Sequence, residues 1–287
     1  MTAPPNAGGL VLVATPIGNL GDLSPRAVAT LEQADVIYCE DTRRTRELLT
    51  HAGVTGAHLV SLHGHNESAR IAQVLERLAE DQKVAVVSDS GTPSVSDPGA
   101  RLVAAAAAAG ATVSVVPGPS AAIAALVVSG LPTDRFSFEG FLPRRGGPRR
   151  RRLEALAGDD RTVVIYEAPG RVAETLADLG DVCGPARPVA VARELTKVHE
   201  EVWRGSLGEA VEAFVGRELR GEVVLVLGGA TAPAAVPTDE EVAKAVKRGL
   251  DAGASVRDVA GEVANQLGVP RRRAYDAAVA VRRNAAR

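Results

Sequence analysis

The sequence predicts an α/β protein made of two α/β domains followed by a small helical tail. Three observations carry that expectation. Short apolar runs alternate with amphipathic stretches through the first two hundred residues, the pattern of βα units in a mostly parallel sheet. Strand-like runs near 188–204 follow one another without a helix between them, which implies a mixed sheet. Beyond a Gly/Ala/Pro-rich linker at 229–237 the periodicity is helical throughout. The expected divisions are 1–118, 119–230 and 236–287.

Leu10–Ala14 is strand-like, and Ser24-Pro25 opens a helix with serine as cap and proline in the first turn. Val36–Cys39 is a strand, Thr42 to about His51 a helix, and His58–Ser61 a short strand. Asn66 to Asp81 carries Ile71, Val74, Leu75 and Leu78 at helical spacing, with Asn66 as N-cap. Lys83–Ser88 reads as a buried parallel strand, Ala100–Ala109 as a helix, and Thr112–Val116 as the strand that ends the series. Between residues 88 and 99 lie two glycines, two prolines and a row of Ser, Thr and Asp. Such a loop at the carboxyl end of a strand is where open α/β sheets bind small ligands. It is also longer than an ordinary strand-to-helix connection.

Rigid, donor-poor Pro117-Gly-Pro119 sets a loop shape, and Ser120 is expected to cap the next helix. Residues 137–139, 162–166, 188–192, 198–203 and 222–227 are strand candidates, and 169–180 and 206–216 look helical. In the tail, Thr238 caps one helix, and Ser255 with Asp258 opens a second in capping-box-like positions. Leu267-Gly-Val-Pro270 is a tight turn, and Arg271 starts a third, basic helix. That is a helix-turn-helix layout; a plain stabilising helical cap fits the same residues.

Composition narrows the function. Cys39 and Cys183 stand alone, so neither a Cys-x-x-Cys site nor a disulfide framework is expected. No basic-then-apolar leader and no apolar run of about 18 residues is visible, and a cytoplasmic location is expected. Residues 14–22 do not form G-x-G-x-x-G and no P-loop occurs. His63 and His65 lack a carboxylate or histidine cluster to complete a metal site, so no metal is expected. The net charge is −2, yet residues 144–152 hold six arginines in nine and the stretch from Val236 carries a net +3. Localised basic patches on an acidic body point to a polyanion met at particular places. The run at 144–152 is expected to be a flexible basic arm.

Ala14-Thr-Pro-Ile-Gly-Asn-Leu-Gly-Asp-Leu, Glu40-Asp-Thr-Arg-Arg-Thr, the 88–99 loop and Val116-Pro-Gly-Pro-Ser120 come in an order that resembles the tetrapyrrole-methylase superfamily. Phe138-Glu-Gly-Phe-Leu-Pro143, Tyr166-Glu-Ala-Pro-Gly-Arg171, residues 192–201 and the tail resemble one branch of it. That branch methylates the ribose 2′-hydroxyl of a cytidine in the decoding centre of 16S ribosomal RNA. The resemblance spans about residues 10–230. It implies that S-adenosylmethionine binds in a cleft between the two α/β domains, that 16S rRNA in the 30S subunit is the partner, and that the protein is a homodimer. It also implies that Pro16, Gly18, Asp89, Gly91, Thr92, Ser96, Asp97 and Ser120 shape the cofactor pocket, joined by Tyr166, Leu195 and Gly221.

A 2′-hydroxyl is a poor nucleophile, so a basic group within hydrogen-bond reach would help. Lys197, Glu194 and Glu200 are the candidates. Lysine can lower its pKa when desolvated, and a surface lysine paired with Glu200 or Glu201 is the alternative. Arg43 and Arg44 could hold phosphate or pair with Glu40 and Asp41. Arg144, Arg145, Arg149 and Arg150 of the arm, with Arg271 and Arg272 of the tail, are the expected RNA contacts. A small-molecule methylase of the same superfamily and a non-catalytic RNA-binding protein remain open readings.

Overall fold

Runs of valine, isoleucine and leucine build two five-stranded sheets in the computed structural model, which describes residues 8–230 and 237–285. Contacts divide the chain into two compact units, Met1–Ala230 and Thr231–Arg287. Both sheets belong to the first. Most of the expected linker, 231–236, lies outside the described residues.

The first sheet contains β1 (Gly9–Val13), β2 (Val36–Cys39), β3 (Leu59–Ser61), β4 (Lys83–Val87) and β5 (Val113–Val116), in the order β3-β2-β4-β1-β5. Every pairing is parallel. Its crossovers are α1 (Pro25–Glu32), α2 (Thr42–His51), α3 (Glu67–Ala79) and α4 (Ala100–Ala108). Both faces are covered, which is why the strands read as continuous apolar runs. Val13, Ile37, Ala85 and Val87 pack with Ala27 and Leu31 of α1 and Leu49 of α2. Val36, Tyr38, Val84 and Val86 pack with Val74 of α3 and Leu102 and Ala106 of α4. Ser24 caps α1 as expected, accepting from Ala27 N. Asn66 sits at the N-cap of α3 without a capping bond; its side chain is taken by His63 N at 2.8 Å and Ser61 O at 3.1 Å.

The second sheet is mixed. Its strands are β6 (Phe136–Phe141), β7 (Thr162–Glu167), β8 (Pro188–Arg193), β9 (Glu201–Ser206) and β10 (Val223–Leu227), in the order β6-β7-β10-β8-β9. Only β6 and β7 run parallel. Val163, Ile165, Val189, Val191 and Leu225 face α6 (Gly146–Ala157), α7 (Val172–Cys183) and α8 (Leu207–Phe214). The alternate residues Val164, Ala190, Ala192, Val224 and Val226 face α5 (Ala121–Ser129). The strand expected at 198–203 starts later because 194–200 forms a tight loop. Most of the expected flexible arm, residues 146–152, is instead the start of α6, whose Leu153 and Leu156 join the core.

The second unit is three helices: α9 (Asp239–Asp251), α10 (Val256–Leu267) and α11 (Arg271–Ala285). Val242, Val246, Val259, Val263, Ala274 and Ala278 form its core. Thr238 and Glu241 make a reciprocal capping box, and Ser255 caps α10 through Asp258 N. Gly268 stops α10 at φ +62°, a left-handed end that glycine takes without steric cost.

Candidate active site

Strands β4, β1 and β5 are neighbours, so the loops at their carboxyl ends leave the first sheet side by side. The loops are stitched together. Thr15 N donates to Gly91 O at 2.8 Å and Gly91 N to Thr15 O at 3.2 Å. Thr15 Oγ1 donates to Ser88 O at 3.1 Å, and Thr92 Oγ1 to Pro119 O at 3.0 Å. At the far end of the 88–99 loop, the buried carboxylate of Glu67 accepts Gly99 N at 3.0 Å and Leu102 N at 3.4 Å. Gly91 holds φ +83°, a conformation only glycine adopts freely.

Facing these loops, the second sheet closes a cavity of about 360 Å³. Gly91, Thr92, Ser96, Asp97 and Ser120 line it from one side; Phe141, Tyr166, Ala168, Gly221, Val223 and Val224 line it from the other. An adjoining recess of about 320 Å³ shares Ser90 and Glu222 and is lined by Pro16, Gly18, Arg44, Asp89 and Lys197. Ser120 stands at the N-cap of α5 but makes no capping bond. The amide of Ala122 donates instead to the Tyr166 hydroxyl at 3.2 Å, so a β7 side chain holds the start of α5 beside the cavity. Leu195 lines neither cavity: it is 7% exposed and packs in the α5-side core. Its expected place in the pocket is corrected to support beneath it.

Acids dominate the cleft. Burial, then the charges of Glu40, Asp89 and Glu222, pushes Asp97 up to about 6, against a bond from Ser88 that opposes the rise. Burial and Asp89 also raise Glu40. Like charges crowded in a half-buried site favour a cationic ligand. The apolar wall of Ala121, Val223, Val224 and Tyr166 beside them suits a flat, weakly polar ring. Among the described residues no His/Cys/Asp/Glu group could hold a metal.

Lys197 brings the largest correction. Its Nζ lies 2.7 Å from Glu194 Oε1 and 3.1 Å from Glu222 Oε2. Burial works to lower its pKa, but the bonds to these two carboxylates outweigh it, and the net movement is upward. Lys197 is therefore held as an ammonium rather than poised as a base. Glu194, bonded by Lys197 and by Glu222 N at 3.0 Å, is held below the usual carboxylate range, so it is a weaker base than usual. Glu200 accepts Thr196 N at 2.7 Å and braces the loop. Glu194 and Thr196 both take positive φ, +51° and +67°, which is unusual for residues other than glycine and marks this loop as strained.

The arginines separate by environment. Arg43 is exposed and pairs with Asp41 at 2.8 Å, and its bonds hold that carboxyl well below the usual range. Arg44 reaches Asp89 at 3.6 Å. Arg144 and Arg145 are exposed and form no ion pair among the described residues; Arg150 pairs with Glu154. Arg149 does not belong with them. It is 5% exposed and bonded to Asp178, Thr175 and Pro143 O at 2.8, 3.0 and 3.2 Å, so its guanidinium is taken up inside the protein. In the tail Arg271 and Arg272 are exposed on α11. Sequence reasoning passed over Phe141 and Glu222 as parts of the cleft. Glu222 directly follows Gly221, and that adjacency was the available signal.

Comparison with known proteins agrees with this geometry. The family model of the tetrapyrrole (corrin/porphyrin) methylases matches residues 9–211. A ribosomal RNA small subunit methyltransferase I from Synechocystis is 47% identical, the match covering 93% of this chain and 96% of that protein. One from Mycobacterium tuberculosis is 46% identical over 97% of each. Among solved structures, the methyltransferase CobJ superposes with TM-score 0.60 at 24% identity, over 78% of this chain and 95% of that one. Uroporphyrin-III C-methyltransferase from Thermus thermophilus, complexed with S-adenosylhomocysteine, gives 0.54 at 24% identity over 77% and 97%; these two share the fold. With its two-sheet cleft and near-complete matches at 46–47% identity, the chain belongs to the tetrapyrrole methylase family, in the group of the ribosomal RNA small subunit methyltransferases I.

Proposed function

We propose that this protein transfers a methyl group from S-adenosylmethionine to the ribose 2′-hydroxyl of a cytidine in 16S rRNA, acting in the cytoplasm on the 30S subunit. The observation that carries the reading is the acidic, partly apolar cavity built by loops of both sheets in a chain nearly half identical to rRNA methyltransferases. Adenosylmethionine, when bound, supplies a methyl on a positively charged sulfur. Asp97 and Glu222 would draw that charge, and the wall of Val223, Val224 and Tyr166 would take the base. Gly91 and Gly221 would let the backbone approach. Pro16, Gly18 and Asp89, with Thr92, Ser96 and Ser120, would shape the rest. In-line displacement needs mainly alignment of the two reactants. Lys197, fixed between Glu194 and Glu222 at the junction of the two recesses, would orient the ribose by donating hydrogen bonds.

Cofactor affinity is expected to fall as pH drops through about 6, because a protonated Asp97 no longer attracts a cation. One linked proton weakens binding by up to about tenfold per pH unit. Asp97→Asn should bind weakly at every pH with a flat profile; calorimetric titration from pH 5 to 8 checks this. A wild-type profile flat across pH 6 would remove Asp97 from the cofactor site.

The exposed Arg144 and Arg145, without an ion pair among the described residues, support phosphate contacts together with Arg44. On α11, Arg271 and Arg272 with the exposed Tyr275 support contacts by the tail. Replacing Arg144 and Arg145 by alanine should lower the salt dependence of rRNA binding by roughly 1 to 2 in slope. A homodimer is supported by exposed Ile123 and Val127 on α5 and Val115 on the edge strand β5; sedimentation of wild type and Val127→Glu tests it. To test the substrate class, labelled adenosylmethionine is offered with 30S subunits, naked 16S rRNA or a tetrapyrrole acid. Transfer to RNA is expected. Transfer to the tetrapyrrole alone would reverse the reading.

A further inference from the structure

We propose that Phe141 is the platform on which the target base stacks, with Arg144 and Arg145 holding the phosphates beside it; this rests on the ribosomal RNA reading above. Phe141 owes its direction to the register of β6. Phe138 pairs with Val164, Gly140 with Ile165 and Phe141 with Tyr166, so Glu139 is an extra residue in the strand. On a regular strand, residues three apart point to opposite faces. The extra residue returns Phe141 to the face of Phe138, Val164 and Tyr166, which is the cavity face. Irregularities of this kind re-aim side chains beside active sites.

The device is secured on both sides. Glu139 is nearly buried and ion-paired with Arg152. Gly140 holds φ +61°, and a Cβ there would lie 3.1 Å from Ser96 Oγ, so glycine lets β6 close onto the ligand loop. Tyr166, tethered by Ala122 N, sits between two rings: Phe138 at 4.9 Å and 73°, Phe141 at 5.7 Å and 62°. Phe141 is therefore braced on one side, yet 59% exposed, more than Phe136 at 39% or Tyr275 at 46%. A chain with four Phe, three Tyr and one Trp has few rings to leave in water.

Charge identifies the occupant. Arg144 and Arg145 follow within four residues of Phe141, both exposed and without an ion pair among the described residues. They precede the positive end of α6, where cations destabilise a helix, so helix stability does not explain them. An open aromatic ring followed within four residues by two exposed arginines matches an unstacked base and its flanking phosphates.

The test compares wild type, Phe141→Ala, Phe141→Trp and Phe136→Ala. Each is assayed for methyl transfer to 30S subunits from a host lacking its own enzyme of this family, and for adenosylmethionine binding by calorimetry. Phe141→Ala should raise KM for subunits roughly tenfold or more, a far larger loss than any in cofactor affinity, with tryptophan restoring activity. Phe136→Ala should match wild type. Unchanged transfer by Phe141→Ala would overturn the inference while the ribosomal reading stands. So would a loss of cofactor affinity in step with activity, since the ring would then belong to the cofactor wall. No transfer to subunits by wild type would overturn the ribosomal reading and this inference with it.

Discussion

Replacing Gly221 with alanine is expected to weaken adenosylmethionine binding more than tenfold and to abolish methyl transfer at ordinary cofactor concentrations. Gly221 lines the cavity at φ +85°, where a side chain costs about 1–2 kcal/mol. The added Cβ would also collide with the carboxylate of Glu194. That carboxylate cannot simply swing away, because Lys197 Nζ and Glu222 N both hold it. Either the Glu194–Lys197–Glu222 cluster breaks, or the backbone leading into Val223 shifts and deforms the cavity wall. Gly184 separates the two causes. It also holds φ +85°, but a Cβ added there would meet nothing within 4 Å, so Gly184→Ala should lose stability only. Calorimetric titration of both variants decides; equal cofactor affinity in the two would mean that the contact with Glu194 does not matter.

The second large effect is on stability. Arg149→Met is expected to lower Tm by about 5–10 °C, from a loss of about 2–4 kcal/mol. The buried guanidinium is the first member of a chain of bonds: Arg149 donates to Thr175 Oγ1 at 3.0 Å, and Thr175 donates to Glu167 Oε2 at 2.6 Å. Glu167 Oε1 in turn accepts Ala168 N at 2.8 Å, and both residues line the cavity. Removing the arginine leaves Asp178 without its cation and loosens the loop after β7. Alanine at Arg144 and Arg145 should do the reverse, leaving Tm in place and weakening RNA binding. Thermal denaturation beside a filter-binding assay checks the contrast. An Arg149 variant with wild-type Tm and weakened RNA binding would return that residue to the RNA surface.

That contrast shows where the sequence stopped being legible. Nine residues holding six arginines read as one uniform patch. Helical spacing held the missing signal: Arg149, Leu153 and Leu156 fall on one face, so one arginine of the run points inward. The strands of the first sheet were readable because burial on both faces leaves uninterrupted apolar runs. The 88–99 loop was readable because its composition suits few other purposes. The bond between Ala122 and Tyr166 was not, since the amide at the start of α5 finds its partner 44 residues away. Lys197 looked like a base because it stands among arginines; two carboxylates brought together by the fold reverse the direction of its shift. Phe141 was hidden by the broken alternation in Phe136-Ser-Phe-Glu-Gly-Phe, where one extra residue changes which rings share a face.

The most direct test of the central claim is nucleoside analysis after methyl transfer. Wild-type protein, tritiated adenosylmethionine and 30S subunits lacking the modification are incubated, and the 16S rRNA is digested to nucleosides. The account predicts label in 2′-O-methylcytidine, absent when Gly221→Ala or Asp97→Asn replaces wild type. Label on a base, or on no nucleoside while the cofactor still binds, would contradict it.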